Sequence, residues 1–94
     1  PLEFEPVRRA EFPMFGLGIA AGRAGGTQPA VYNAANEVAV RAFLDHELSF
    51  PGIPAVVEEV LTALEPRPVR SLDDLEAADL EARARAREAV RGLS

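Results

Sequence analysis

The stretch that most constrains the fold is residues 25–45, GGTQPAVYNAANEVAVRAFLD. A glycine pair precedes an unbroken run of helix-forming residues, with Thr27 predicted as the N-cap and Pro29 in the first turn. At 100° per residue, apolar side chains, Val38 among them, cover most of the circumference. A thin polar stripe comprises Asn33, Asn36, Glu37 and Arg41. Because such a helix is buried on several sides, the sequence predicts a central helix over residues 28–45.

Three further segments have the pattern of helices, at about residues 13–23, 51–64 and 72–93. The second has its apolar residues at the i, i+3, i+4, i+7 spacing of an amphipathic helix. The last carries a narrow, alanine-rich stripe made of Leu72, Leu75, Ala78, Ala82, Ala86, Ala89, Val90 and Leu93. The predicted fold class is therefore all-α, a bundle of four helices over residues 13–94. Residues 1–12 predict a short extended segment and a linker, and a lone strand needs a sheet from elsewhere, so we expect a truncated chain.

Composition excludes several classes of function. The net charge of −5 disfavours binding to a phosphate backbone, so we expect no nucleic-acid partner. The absence of cysteine excludes thiolate metal ligands and a cysteine nucleophile, and the absence of lysine excludes Schiff-base chemistry within these 94 residues. No apolar run approaches the ~20 residues of a membrane span, so no membrane partner is expected.

A glycine pattern in the first predicted helix raises the possibility of a dinucleotide site. Residues 16–21, GLGIAA, fit the fingerprint G-x-G-x-x-A. That motif requires a strand before it and a helix after it, so that a pyrophosphate meets the helix N-terminus. Pro13 stands where the strand would have to be, and no later stretch supplies a second parallel strand. We therefore favour a glycine-containing helix that permits close approach of a neighbour, through Gly16 or Gly18.

The most prominent polar cluster is Asn33, Asn36 and Glu37, since it lies on the helix predicted to be most buried. One interpretation is a polar edge that faces a ligand. The other is that these side chains hydrogen-bond backbone groups in adjoining loops and fix the register of the bundle. The second is favoured because most buried amides and carboxylates bond to backbone groups.

Two charged segments are further candidate sites. Asp45, His46 and Glu47 contain the only histidine, but consecutive residues at a helix end point in different directions, which suits a solvated C-terminus better than a metal site. The arginine-rich residues 83–91 are interpreted as solvated helix surface. From its residues alone, the chain is predicted to contain no catalytic, no cofactor-binding and no metal-ligating residue.

One stretch resembles a known family. Residues 25–40, GGTQPAVYNAANEVAV, closely resemble the G-G-T-x-P-x-x-x-N-A-A-N-E-x-A-V segment of 1-deoxy-D-xylulose 5-phosphate reductoisomerases, in their C-terminal helical domain. The likeness extends over essentially the whole chain, including LEFEP near the start, EFP, AFL, FPGIP and SLDD. Gly16, Gly18 and the pair Pro51-Gly52 depart from the family pattern.

The resemblance implies a role within a larger NADPH- and metal-dependent enzyme of non-mevalonate isoprenoid biosynthesis, which makes 2-C-methyl-D-erythritol 4-phosphate. It implies that residues 1–12 end a catalytic-domain strand and that residues 13–94 brace that domain of the same chain. It also implies that NADPH and a divalent Mg or Mn ion bind elsewhere in the full-length enzyme, a cytoplasmic bacterial homodimer joined through other domains. No residue here matches a catalytic motif of the family, so the 94 residues alone are expected to be inactive and to bind no cofactor.

An alternative remains open at this point. The chain could be a free-standing helical protein-interaction module whose partner lies along Asn33, Asn36 and Glu37. A reading frame that continues upstream with a nucleotide-binding glycine motif would exclude this alternative, and a start codon near Pro1 would favour it.

Overall fold

Four α-helices make up the described part of the chain, which in this computed structural model is residues 13–93. They are α1 (Pro13–Ala24), α2 (Gln28–Leu44), α3 (Gly52–Ala63) and α4 (Leu72–Leu93). Residues 13–93 include no strand, and the predicted all-α bundle of four helices is confirmed. Each predicted helix end lies within one residue of the observed one, which is the ordinary uncertainty of a helix terminus. The predicted extended segment and linker at residues 1–12 lie outside the described residues.

Helix α2 is the centre of the bundle: both α2 and α3 pack against each of the other three helices, but the two most extensive helix pairings both involve α2. Its inward face is made of small side chains, and Ala34, Ala35 and Ala39 are fully buried. Helix α4 meets it with Ala82 and Ala86, which are also fully buried. Alanine on both sides lets the two helix backbones approach closely. The predicted central position of this helix is therefore confirmed.

Helix α3 supplies most of the bulk of the core. Val56, Val57 and Val60 are among the largest fully buried side chains, together with Val31 of α2. The apolar face predicted from their spacing is the face that is buried. A core built mainly from valine and alanine holds little apolar area per residue, so the stability of this domain depends more on tight packing than on large side chains.

The apolar stripe predicted for α4 is wrong at both ends. Leu72 is 77% exposed and Leu93 is 52% exposed. Helix α4 has 22 residues whereas α2 has 17, so its ends extend past the helices that bury its middle. Val38, placed in the core by the pattern of α2, is only half-buried. It lies at the rim of the groove between α2 and α4, beside Arg83 and Arg87.

Helix α1 packs on α2 through a glycine. A Cβ atom at Gly18 would lie 3.3 Å from the hydroxyl oxygen of Tyr32. That hydroxyl donates a hydrogen bond of 3.3 Å to the backbone carbonyl of Met14. The close approach predicted for the glycines of α1 is therefore found at Gly18. At Gly16 a Cβ atom would have no described neighbour within 4 Å.

Candidate functional site

The glycine pair and the two residues after it tie the first half of the bundle to the second. The backbone N–H of Thr27 donates to the carbonyl of Arg67 at 2.9 Å, and the N–H of Arg67 donates to Thr27 Oγ1 at 3.1 Å. One residue on, Gln28 Nε2 donates to the carbonyl of Leu64 at 2.6 Å. These bonds join the turn before α2 to the connector between α3 and α4, about forty positions away in sequence.

This contact corrects the predicted role of Thr27. Its hydroxyl makes no capping bond to α2, and its backbone is helical, with φ −80° and ψ −9°. The hydroxyl oxygen instead accepts from the connector, so the side chain serves tertiary structure rather than the helix end. Thr27 and Gln28 are the two buried polar residues among those described, at 4% and 3% exposure. Gln28 Oε1 is buried and accepts no hydrogen bond from any described residue.

The two glycines have different reasons to be glycine. Both adopt the left-handed backbone that glycine favours, with φ +70° at Gly25 and φ +57° at Gly26. A Cβ atom at Gly26 would also collide with the carbonyl oxygen of Arg67, whereas one at Gly25 would meet nothing described within 4 Å. Position 26 therefore requires glycine for two reasons, its positive φ and the space that the α3–α4 connector needs in order to approach.

The predicted role of Asn33, Asn36 and Glu37 is wrong. Asn33 and Glu37 are exposed and Asn36 is half-buried. Neither asparagine side chain hydrogen-bonds to any part of the chain that the structure describes. Three helices cover the apolar arc of α2 and leave the polar stripe outside. The sequence pattern alone could not show whether that stripe would be buried or exposed.

Glu37 takes part in an ion-pair network between α2 and α4. Arg83 Nη2 donates to Glu37 Oε1 at 2.8 Å, and Arg83 Nε donates to Asp79 Oδ2 at 2.9 Å. The hydrogen bond to Asp79, followed by that to Glu37, raises the pKa of the Arg83 guanidinium above its ordinary value, so this group stays charged. A partly exposed network of this kind contributes about 1 kcal/mol or less per pair.

The segment that contains the histidine is a helix terminus. His46 is exposed and has φ +64°, in the left-handed region. Its N–H donates to the carbonyl of Phe43 at 3.0 Å, and the N–H of Glu47 donates to that of Ala42 at 2.8 Å. This pair of bonds is the Schellman motif that closes many helices. Asp45 is engaged with Arg41 at 3.3 Å.

The other candidate sites are not assembled by the fold. The glycine pattern lies inside α1 rather than in a turn before a helix, so it lacks the turn geometry that holds a pyrophosphate at a helix N-terminus. In the described residues, no three acidic or histidine side chains cluster as metal ligands do. Arg85, Arg87 and Arg91 are exposed on α4. No helix among α1–α4 has the length and apolarity needed to cross a bilayer.

Comparison with known proteins gives a consistent result. A family model described as the DXP reductoisomerase C-terminal domain matches residues 1–85. A 1-deoxy-D-xylulose 5-phosphate reductoisomerase of Xanthomonas axonopodis pv. citri is 52% identical over 82 residues, which is 87% of this chain and 21% of that protein. The corresponding enzyme of Methylobacillus flagellatus is 48% identical over 87 residues, covering 93% of this chain and 22% of that protein.

A solved structure agrees with these sequences. The reductoisomerase of Zymomonas mobilis in complex with NADPH superposes with a TM-score of 0.86 at 38% identity, over 98% of this chain and 26% of that one. The chain thus spans between a fifth and about a quarter of the length of the proteins that it matches. The likeness covers the whole bundle and only a small part of each relative.

Proposed function

This chain belongs to the family of DXP reductoisomerase C-terminal domains, and on that premise we propose that it is a non-catalytic, structural domain of a longer reductoisomerase. The proposal rests on what the start of the family motif, residues 25–40, does in the fold. In that motif, Gly26, Thr27 and Gln28 are engaged with the α3–α4 connector rather than facing a cleft. Two residues of the motif, Gly26 and Thr27, are therefore used to hold helices together.

The activity proposed for the longer chain is that of its relatives. We propose that it converts 1-deoxy-D-xylulose 5-phosphate to 2-C-methyl-D-erythritol 4-phosphate in the bacterial cytoplasm. The reaction would require a nicotinamide cofactor as hydride donor and a divalent Mg or Mn ion as Lewis acid. The described residues do not fit either group, because the glycine pattern is helical and no cluster of three ligands exists among them. We therefore place both groups in the preceding part of the longer chain, which would also form a homodimer through its other domains.

The proposal predicts a clean division of activity. The longer chain should oxidise NADPH when given 1-deoxy-D-xylulose 5-phosphate and manganese or magnesium. The 94 residues alone should not do so under the same conditions. Turnover by the 94 residues alone would refute the non-catalytic role, and a longer chain without this activity would refute the assignment of the reaction.

A further inference from the structure

The outward face of α2 is a surface that the bundle does not explain. It consists of Asn33, Asn36, Val40 and Leu44, which follow one another along the helix on the side opposite the buried alanines. Asn33 is exposed, Asn36 and Val40 are half-buried, and Leu44 is 59% exposed. The face therefore runs along the last 12 of the 17 residues of the central helix.

This face is free of charge in a chain that is 27% charged. Glu37 and Arg41 border this face, and each is paired, with Arg83 and Asp45 respectively. The exposed side of α4 is by contrast densely charged, and the exposed side of α3 carries Glu58 and Glu59. Depletion of charge is the compositional mark of the core of a protein interface.

An exposed aromatic pair borders the same face at its C-terminal end. The ring of Phe50 is 69% exposed and meets the half-buried ring of Phe43 edge-on, at a centroid distance of 5.6 Å. Phe43 lies one turn from Val40 and next to Leu44 on α2. Aromatic residues are enriched in interface cores, and carboxamides offer a donor and an acceptor that match peptide groups. The surface suits an uncharged partner that presents backbone groups and apolar side chains.

We propose that the outward face of α2 is the docking surface for the preceding part of the longer reductoisomerase chain, an inference that rests on the proposed function. The relatives carry most of their length outside the matched domain, so a large body is tethered to it. A tethered partner has an effective concentration far above that of a second copy in solution. The tether therefore favours the same chain as the occupant.

The absence of cysteine from these 94 residues allows a direct test in the intact longer chain. Asn33→Cys and Leu44→Cys place a thiol on the outward face of α2. Thr62→Cys places one on the exposed side of α3, as the matched control. Each folded, active variant is treated with a maleimide, and labelling at the introduced site is followed by peptide mass spectrometry. We expect both α2 thiols to react at least about tenfold more slowly than the control, because a thiol within a contact reacts only during the small fraction of time that the contact is open.

Each outcome decides one point. Labelling of both α2 thiols as fast as the control, in a chain that turns over substrate, overturns the docking surface and leaves the proposed function standing. Protection that disappears on dilution assigns the face to a second copy and overturns the proposed occupant. Protection that persists on dilution supports docking within one chain. Absence of turnover in the unsubstituted longer chain overturns the proposed function, whichever thiols are protected.

Discussion

The contact between Gly26 and the α3–α4 connector makes a quantitative prediction for Gly26→Ala. The substitution places a methyl group against the carbonyl oxygen of Arg67 and forces the connector to move away. That carbonyl accepts from the N–H of Thr27, and the N–H of Arg67 donates to the Thr27 hydroxyl, so displacement weakens two hydrogen bonds. Gly25→Ala is the matched control, because its backbone is also left-handed but its Cβ would meet no described atom within 4 Å.

The two substitutions share every free-energy contribution except the collision. A left-handed alanine costs about 1–2 kcal/mol relative to glycine, and restriction of the unfolded chain returns about 0.4–1 kcal/mol. Gly25→Ala should therefore lower the free energy of unfolding by about 1 kcal/mol. Gly26→Ala loses about 1 kcal/mol more for each of two hydrogen bonds, which gives about 3 kcal/mol in total.

Thermal unfolding followed by circular dichroism measures this difference. For a domain of this size, about 1 kcal/mol shifts the Tm by about 4–8 °C. We expect Gly26→Ala to lower the Tm by about 10–25 °C and Gly25→Ala by about 8 °C or less. Equal Tm values for the two variants would refute the reasoning, because only the left-handed backbone would then matter and the crowding at Arg67 would have no consequence.

Three further predictions follow from the helix ends, the ion pairs and the core. His46→Gly should raise the Tm by a few degrees, because glycine adopts the left-handed conformation at this position at less cost; a lower Tm would contradict the assigned helix terminus. Arg83→Met should lower the free energy of unfolding by about 1 kcal/mol, and the difference from the unsubstituted chain should shrink in 1 M salt; a difference unchanged by salt would show that the ion pairs do not contribute. Val57→Asp should abolish the cooperative unfolding transition because Val57 is fully buried, whereas Val38→Asp should leave a folded protein because Val38 is half-buried at a rim; similar far-ultraviolet circular dichroism spectra for the two variants would contradict this core.

The local elements of this fold could be predicted from the sequence because their signals are local. The glycine pair and Pro29 mark the start of α2, and the valine spacing of α3 sets its buried face. Both depend only on backbone preferences and on the 3.6-residue period of a helix. The family resemblance is local in the same sense, since it lies in one continuous run of residues.

The sequence could not reveal the contacts that make this run important. Thr27 has the residue type and position of an N-cap, and only the arrival of Arg67 from a distant connector redirects its hydroxyl. Gln28 is buried for the same reason, through its bond to the carbonyl of Leu64. A hydrogen bond between residues about forty positions apart has no periodic signature, so tertiary structure alone decides it.

The sequence by itself determined which segments of this protein are helices, which helix is central and which family the chain resembles. It did not determine which way the polar stripe of that helix faces. Asn33 and Asn36 lie on the outside because the three neighbouring helices cover the apolar arc and end at its edges. The orientation of a helix about its own axis depends on the shapes and number of its neighbours, and that information exists only once the chain has packed.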